Sequence, residues 1–364
     1  MDTYLQKIHS QGLINQEEYD ALLPTGVQSA EELYAVTLHF PSLADVIPGN
    51  NLAKISAISA RETPIAFRNL ALSQSMSPIQ FANGAEPPSN ARFPLGSSTN
   101  TVLPKTSSSP GIPLNRIDHH STARGIGWPV RDQGGRGTCV AHALAACKEL
   151  LSLQSGTAQI GDASEQFLFW GAKQFDPNAN SDGTMHVHAL NALQHHGLCP
   201  EADWPYVPLA AATVHQGPPP ASAQQAASLN LHTGGTITNN GNAAQLYQAL
   251  SKFPVAIGVP VFADPNALKH DNWNVSGLLE FGRVLDPQPR SVVTGGHAVC
   301  VVGFEPDSRE PSGHGWFIIR NSWGTNNWGH RLPLPGSYWG PEAGYGQISW
   351  YYVDSFLWEM CSLT

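Results

Sequence analysis

The sequence predicts an α+β protein that carries a small helical region at its N-terminus. An Ala/Leu-rich run with helical spacing, CVAHALAACKELL, begins at Cys139. Three Val/Ile-rich runs that are typical of strands, PVAIGVPV, HAVCVVGF and GWFIIRNSW, follow later in the chain. A chain with helices first and strands later favours the α+β class.

The chain divides into three parts. Residues 1–60 predict short helices, because Asn15 with Glu18 and Ser29 with Glu32 have the spacing of capping boxes. We expect a helical accessory or pro-region here, weakly similar to a helix-hairpin-helix module. Residues 61–113 are rich in Pro, Ser, Asn and Gly and cannot bury enough apolar surface to fold alone, which predicts a linker or a strap lying on another surface. Residues 114–364 form the main domain, whose final aromatic run, ISWYYVDSFLW, predicts a terminal strand.

The composition excludes several classes of function. The chain has 364 residues and a formal net charge of −9, and its 19 Lys and Arg residues are scattered, so we expect no nucleic-acid partner. Residues 1–60 hold two basic and seven acidic side chains, which favours a protein partner for this region over DNA. No basic segment followed by an apolar one stands at the N-terminus, and no run of about 18 apolar residues occurs. We therefore expect no membrane contact, and a location in the cytoplasm or export by a route that needs no signal peptide.

The five cysteines are an odd number, widely spaced and without a CxxC pair, which predicts free thiols in a reducing compartment. Cys147 follows Cys139 by two turns of the same predicted helix, too far for a disulfide, and is expected in the core. His186 and His188 lie near His195 and His196, but positions i and i+2 of a helix face apart. We expect no metal site and no cofactor.

Cys139 has two interpretations. A free cysteine usually packs as a small buried hydrophobe. The alternative is a nucleophile, because the glycine-rich turn GGRGTC places the thiol at a helix N-terminus, where its pKa falls. His297, at the start of an apolar strand, is the best imidazole partner; Asn321 can orient that ring, and Trp323 can shield their hydrogen bond. Gln133 can stabilise an oxyanion together with the backbone N–H of Cys139.

These residues stand in motifs that resemble the papain-like cysteine peptidases. The matching pieces, in the order of that family, are PVRDQGGRGTCVAHALAA, SEQFLFW, SDGTMHVHALNALQHHGL, PVAIGVPV, GGHAVCVVGFE and WFIIRNSWGTNNWG with GYGQISW. The resemblance implies a two-lobed fold with the nucleophile on a helical lobe and the His and Asn on a β-barrel-like lobe. It further implies thiol-dependent hydrolysis of peptide bonds in a peptide or protein substrate. Cys139 is then the nucleophile, His297 the general acid/base, Asn321 its orienting group and Gln133 the oxyanion donor.

Substrate-side residues follow from the same resemblance. Gly183 and Thr184 align with a glycine pair that pairs with the substrate backbone. Met185, Gly258 and Ala298 align with walls of the pocket for the second residue before the scissile bond, which predicts a roomy, apolar pocket; the alternative for Met185 is ordinary core. Trp323 and Trp328 are also expected along the substrate cleft.

Three departures from the family pattern matter. Secreted members carry a cysteine where this chain has Arg136, paired to a second one near the substrate glycines, so that disulfide is absent here. Val140 replaces the aromatic residue that usually follows the nucleophile. The interval from Cys139 to His297 exceeds the roughly 130–150 positions of the family, which predicts a surface insertion at 207–231. A second insertion, at 330–343, is expected after the match to the family motif that ends at Gly329.

Several functional alternatives stay open at this stage. A papain-fold acyltransferase or ligase would use the same residues with an amine as acceptor, and an aminopeptidase of the bleomycin-hydrolase type would cut only at a free terminus. A catalytically dead binding module would lack one of the four groups, and none is missing. We also expect a latent precursor in which part of residues 61–112 lies along the cleft, with IAFRNLAL and SPIQFA docking in the substrate pocket; the competing interpretation is a plain tether.

Overall fold

A computed structural model describes residues 3–72, 83–99, 114–119, 130–156, 160–208, 216–268, 270–329 and 342–364. It confirms the predicted α+β class, with helices in the first part of the chain and an antiparallel sheet later. Within these ranges the helices are α1 Tyr4–Ser10, α2 Gln16–Leu22, α3 Ala30–His39, α4 Leu52–Glu62, α5 Ile65–Leu72, α6 Cys139–Gln154, α7 Glu165–Phe175, α8 His186–His195, α9 Ala221–Ser228, α10 Ala243–Leu250, α11 Gly324–Asn327 and α12 Trp350–Phe356.

The N-terminal helices continue past residue 60 to Leu72, beyond the predicted limit of the helical region. Asn15 forms the expected capping box with Glu18. Ser29 caps α3, but the Glu32 carboxylate accepts a hydrogen bond from the Gln28 amide, 2.6 Å away, and not from Ser29. The N-terminal core also takes in Val275, Leu278 and Leu285 of the main domain, so this helical region is packed onto the main domain.

The helical lobe of the main domain is organised around α6. The first residues of this helix, from Cys139 to Cys147, are buried, as expected for a helix enclosed on all sides. It packs against α7, α8 and the strand β4 of the sheet. Gly134 in the turn before α6 has φ +60, a left-handed conformation that glycine adopts without a steric penalty. The turn therefore delivers Cys139 to the boundary between helices and sheet.

The second lobe is a seven-stranded sheet whose named pairs are all antiparallel. Six strands follow the order β2-β7-β3-β4-β5-β6, and β1 pairs with β4 outside that path. The long strand β4 packs beside α6, and β5 pairs with β4 in the sheet. The strands are β1 Ile117–Asp118, β2 Thr236–Asn239, β3 Val255–Ala263, β4 Val292–Pro306, β5 Gly315–Arg320, β6 Tyr345–Ser349 and β7 Glu359–Ser362.

The aromatic run near the C-terminus is a helix and not the predicted strand. β6 ends at Ser349, whose hydroxyl accepts a hydrogen bond from the Tyr352 amide and so starts α12. Trp350 then stacks on Phe317 at 5.6 Å, and the run packs in the sheet core as expected. Part of the insertion expected at 207–231 forms α9, while residues 209–215 and 330–341 lie outside the described residues. No helix in the described ranges is long and apolar enough to cross a bilayer.

Candidate active site

Cys139 is the first residue of α6 and is fully buried in this structure. Burial raises the pKa of its thiol to about 11, although backbone N–H groups of Ala298 and Gly84 hydrogen-bond to the sulfur and oppose that shift. The thiol is therefore neutral near pH 7 in this state. The two N–H groups come from distant parts of the chain. Ala298 follows His297 on β4, while Gly84 lies in the region before the main domain.

His297 lies on β4 and forms a 2.7 Å hydrogen bond from Nε2 to Oδ1 of Asn321, which follows β5. Burial lowers the pKa of His297 to about 4. The second ring nitrogen, Nδ1, has no hydrogen-bond partner among the described residues. The Asn321 amide thus orients the ring through Nε2, and Nδ1 remains available to accept a proton.

Two tryptophans enclose this hydrogen bond. The Trp323 ring lies 4.8 Å from the His297 ring and is tilted by 31° to it, and Trp273 meets the same ring edge-on at 5.0 Å. Both indoles are buried. Trp323 was expected from the sequence, but Trp273 was missed because it stands in a loop without a motif. The shielding of the imidazole therefore depends on two separate segments.

Gln133 is buried in the turn before α6 and is held at both ends of its side chain. Its amide nitrogen donates to the Arg136 carbonyl at 2.8 Å, and its amide oxygen accepts from the Ser322 hydroxyl at 2.5 Å. The Gln133 backbone N–H also donates to the Ser322 carbonyl. Because Ser322 follows Asn321, these bonds join the turn before the nucleophile to the segment that orients His297.

Trp328 and Ala298 were also assigned to the substrate cleft, and both are fully buried in this structure. Trp328 lies behind Trp323, with 6.2 Å between the ring centroids. Gly258 is paired with Ala298 across the β3–β4 ladder. A Cβ at Gly258 would lie 3.3 Å from Glu359 Cγ and 3.4 Å from His186 Cε1, so these two side chains fill the space beside Gly258.

The predicted substrate-pairing segment is already paired with another part of the chain. Thr184 is buried, and its backbone N–H donates to the Gly84 carbonyl at 2.9 Å while its carbonyl accepts from the Glu86 amide at 3.0 Å. Gly183 precedes it with φ +134, and Met185 is the half-buried residue before α8. The pairing of Ala85 with Thr184 is parallel.

We call residues 83–99 the strap. Its first residues lie in the cleft: besides the bonds to Thr184, the Ala85 amide donates to the Gly296 carbonyl at 3.0 Å. Gly84 packs so closely that a Cβ there would lie 2.0 Å from the Gly137 carbonyl oxygen. Farther along, the Gly96 amide donates to the Val293 carbonyl at the start of β4. The strap therefore crosses from the cleft to the sheet.

One of the two apolar pieces expected in the cleft lies elsewhere. IAFRNLAL forms α5, where Phe67 stacks on Phe281 at 5.9 Å within the N-terminal core. SPIQFA lies outside the described residues. The cleft takes Gly84 and Ala85, because a narrow groove between two backbones accepts only residues with small side chains.

The described residues contain no group of three His, Cys, Asp or Glu side chains that could hold a metal ion. His186 donates to Glu359 Oε1 from its backbone and is 2.8 Å from the same oxygen through Nδ1. His195 and His196 pack against Phe175. The histidine-rich run is thus distributed over separate contacts.

Comparisons with known proteins agree on one family. A family model described as papain family cysteine protease matches residues 115–331. An uncharacterized peptidase C1-like protein of Acanthamoeba polyphaga mimivirus is 25% identical over 207 residues, which cover 54% of this chain and 60% of that protein. Cathepsin J of Rattus norvegicus is 30% identical over 201 residues, covering 55% of this chain and 54% of that protein. The chain thus spans little more than half the length of these curated relatives.

Solved structures agree with the fold. Xylellain, a cysteine protease from Xylella fastidiosa, superposes with a TM-score of 0.54 at 18% identity, over 78% of this chain and 97% of the other. Digestive procathepsin L 3 of Tenebrio molitor larval midgut superposes with a TM-score of 0.51 at 20% identity, over 100% of both chains. At these identities the likeness establishes the papain-like fold.

Proposed function

The chain belongs to the papain family of cysteine proteases, and from this premise we propose that it hydrolyses peptide bonds with Cys139 as nucleophile, His297 as general acid/base and Asn321 as orienting group. The observation that carries the proposal is the His297–Asn321 hydrogen bond through Nε2, which leaves Nδ1 on the side of the ring available to the thiol. The neighbouring Ala298 amide reaches the Cys139 sulfur, so the imidazole and the thiol belong to one site.

Besides these three side chains, the reaction uses Gln133, the Cys139 backbone N–H and water. Once the cleft is open to solvent, Cys139 transfers its proton to His297, and the helix N-terminus stabilises the thiolate. The sulfur attacks the substrate carbonyl carbon, and the resulting oxyanion accepts hydrogen bonds from the Gln133 side chain and the Cys139 backbone N–H. His297 then protonates the leaving amine as the C–N bond breaks. Water, deprotonated by His297, attacks the thioester and releases the carboxylic acid and the thiol.

We further propose that the full-length chain is a latent precursor blocked by the strap. The Gly84 group that meets the sulfur is a backbone N–H, a donor and not an electrophilic carbon, so the strap occupies the site without presenting a bond to cut. Its bonds to Thr184 fill a position that the family resemblance gives to a substrate backbone, and its bond to Gly296 holds it beside β4. Burial of both Cys139 and His297 opposes their ionisation, which adds a chemical block to the steric one.

The positions flanking the strap favour cleavage between residues 100 and 113. Thr99 is still bonded to the Ser291 carbonyl at 2.8 Å, whereas Ile117 and Asp118 already form β1 against β4. A cut between these points would free the strap and leave β1 in the sheet.

The proposal is tested by comparing the wild-type chain with Cys139→Ala, which removes one thiol and leaves the fold intact. We expect wild type to cleave a quenched fluorescent peptide slowly at first and faster as a cut appears between residues 100 and 113 by mass spectrometry. Cys139→Ala should show neither. Peptides with free and blocked N-termini, with products weighed, separate endopeptidase, aminopeptidase and acyl-transfer activity.

Two results would contradict the proposal. An epoxysuccinyl inhibitor adduct on Cys147 or Cys300 in the processed protein would overturn the choice of nucleophile. Equal initial rates for the intact and the cut chain would overturn latency and leave the strap as a tether.

A further inference from the structure

Lys173, on α7, carries an ammonium group that is fully buried in the helical lobe. It lies 2.7 Å from Asp176 Oδ2, 2.6 Å from the Gly183 carbonyl oxygen and 3.3 Å from the Ser181 hydroxyl. An ammonium has three N–H donors, so each has one acceptor. The Phe169 ring centroid lies 5.9 Å from the same nitrogen. A buried charge of this kind is tolerated only when paired and hydrogen-bonded throughout.

The bond to Gly183 acts on the peptide group that faces the cleft. The Gly183 carbonyl and the Thr184 N–H belong to one planar peptide unit, whose two ends point in opposite directions. The carbonyl end accepts from Lys173, and the N–H end donates to the Gly84 carbonyl of the strap. The charge-assisted bond therefore fixes the orientation of the N–H that pairs with a peptide in the cleft.

This peptide unit needs such a restraint. The segment between α7 and Gly183, DPNANSD, is a polar loop that is mostly exposed. All five cysteines of the chain are free thiols, so no disulfide ties this loop down. Gly183 has φ +134, and glycine is the residue with the most freedom to rotate away from such a conformation.

We infer that Lys173 is a positioning residue: it holds the Gly183–Thr184 peptide so that the Thr184 N–H is presented to an extended chain, first the strap and then the substrate. The part of this inference that concerns substrate rests on the proposed function, because the substrate would use the amide that the strap uses now. The part that concerns the strap stands on the observed bonds alone. Ser181 connects Lys173 to the strap, because its hydroxyl also lies 2.9 Å from Glu86 Oε1.

The interpretation that competes is a purely structural ion pair between Lys173 and Asp176. A buried ion pair by itself is weak grounds for a stabilising role. In that case the bond to Gly183 only completes the hydrogen bonding of the ammonium, and loss of Lys173 would weaken the whole helical lobe. The two interpretations therefore predict different amides that lose protection from hydrogen exchange when Lys173 is replaced: those at Thr184 and the strap, or those of the whole lobe.

The first test follows hydrogen exchange, resolved to single amides, in the full-length chain with Cys139→Ala, so that no catalysis is needed. Lys173→Met should raise exchange at the Thr184 and Glu86 amides by about tenfold relative to Val301 in the sheet core. Lys148→Met is the matched control, because Lys148 is a half-buried lysine of the same lobe that contacts His232. If Lys173→Met does not fold, the double variant Lys173→Met/Asp176→Asn removes the unpaired carboxylate and is measured instead.

The second test uses the processed wild-type and Lys173→Met chains, cut between residues 100 and 113 after folding. We expect KM to rise about tenfold while kcat changes less than about twofold, because the lost alignment affects the bound peptide and not the thiol chemistry. Unchanged exchange at Thr184, or loss of protection spread evenly over the core, would overturn the inference. An inactive wild-type chain with faster Thr184 exchange in the variant would refute the proposed function and leave the positioning of the strap supported.

Discussion

The strap and the N-terminal helices are both attached to the main domain, but by different chemistry. In the cleft the strap is held mainly by its backbone, which bonds to the amide and carbonyl of Thr184 and to the carbonyl of Gly296. One side-chain bond, between Glu86 and Ser181, adds to these. The N-terminal helices are held by side chains. Arg283 lies 2.8 Å from Glu32 with both groups buried, and the Ser42 amide and hydroxyl both donate to the Asp264 carboxylate at 2.8 Å.

Because of this difference, the strap's blocking of the cleft and the docking of the N-terminal helices respond to different substitutions. Backbone pairing is insensitive to most side chains but fails wherever a side chain does not fit, as at Gly84. Docking through a buried ion pair fails when either partner is removed, whatever its size. A substitution can therefore loosen the helices without opening the cleft, or open the cleft without loosening the helices.

The largest effect is expected at Arg283, which stacks 3.5 Å above the Trp316 ring. Arg283→Met leaves the Glu32 carboxylate buried and unpaired, and the free energy of unfolding should fall by about 3–5 kcal/mol in guanidinium titrations. Arg290→Met is the matched control, because Arg290 pairs with Asp45 at the same interface with both side chains about half exposed. It should cost less than about 1 kcal/mol. Equal losses for the two variants would contradict docking by the buried pair.

Gly84→Ala should open the cleft while the N-terminal helices stay docked. The new Cβ would lie 2.0 Å from the Gly137 carbonyl oxygen, a backbone atom that cannot rotate away as the end of a flexible side chain could. A clash of about 3 kcal/mol would raise the open population, and the initial peptidase rate of the uncut chain, by about 10²-fold.

Gly96→Ala, in the same strap, is the control for Gly84→Ala. It adds a Cβ with no atom within 4 Å, so it tests backbone strain without the clash in the cleft. Its initial rate should match that of wild type. A Gly84→Ala chain as inactive as Gly96→Ala would show that the strap does not block the site.

Acid should loosen the docking through His39 of α3, whose ring lies 4.5 Å from the His270 ring. Burial, with His270 adding repulsion, lowers the pKa of His39 from 6.5 to about 4. Between pH 6.5 and pH 4, His39 is protonated in the unfolded chain and neutral in the folded chain. The stability that the neutral, buried His39 contributes is therefore complete above pH 6.5 and is lost as the pH falls towards 4.

His39→Gln tests this contribution. The variant should lose roughly 2–3 kcal/mol less than wild type on going from pH 7 to pH 4. The measurement is the free energy of unfolding at both pH values. Parallel curves for the two proteins would assign the acid sensitivity to other groups.

The smallest effect is expected at Glu86, whose carboxylate accepts the Ser181 hydroxyl in a half-buried side-chain contact of the strap. Glu86→Ala removes one hydrogen bond, worth about 1 kcal/mol, and should raise the initial rate of the uncut chain by about fivefold. An effect as large as that of Gly84→Ala would mean that side chains, and not the backbone, hold the strap in the cleft.

Local signals in the sequence predicted much of the fold. The capping box at Asn15, the start of α6 at Cys139 and the Val/Ile-rich strands were expected, because each depends on residues a few positions apart. The family and the four residues proposed for catalysis were also recognisable, since they stand in motifs with a fixed order. The aromatic run was misjudged because β-propensity was weighed without the cap at Ser349.

Which side chains meet when they lie far apart in the sequence was decided only by the tertiary structure. Glu32 bonds Gln28 and faces Arg283 instead of closing a box with Ser29, and Trp273 joins Trp323 at the imidazole. Local spacing carries no information about such contacts, because any apolar or charged side chain can meet many others at similar cost. The cleft holds Gly84, and not the apolar run IAFRNLAL, for a steric reason: between Gly137 and Gly183 there is room for a backbone and not for a side chain.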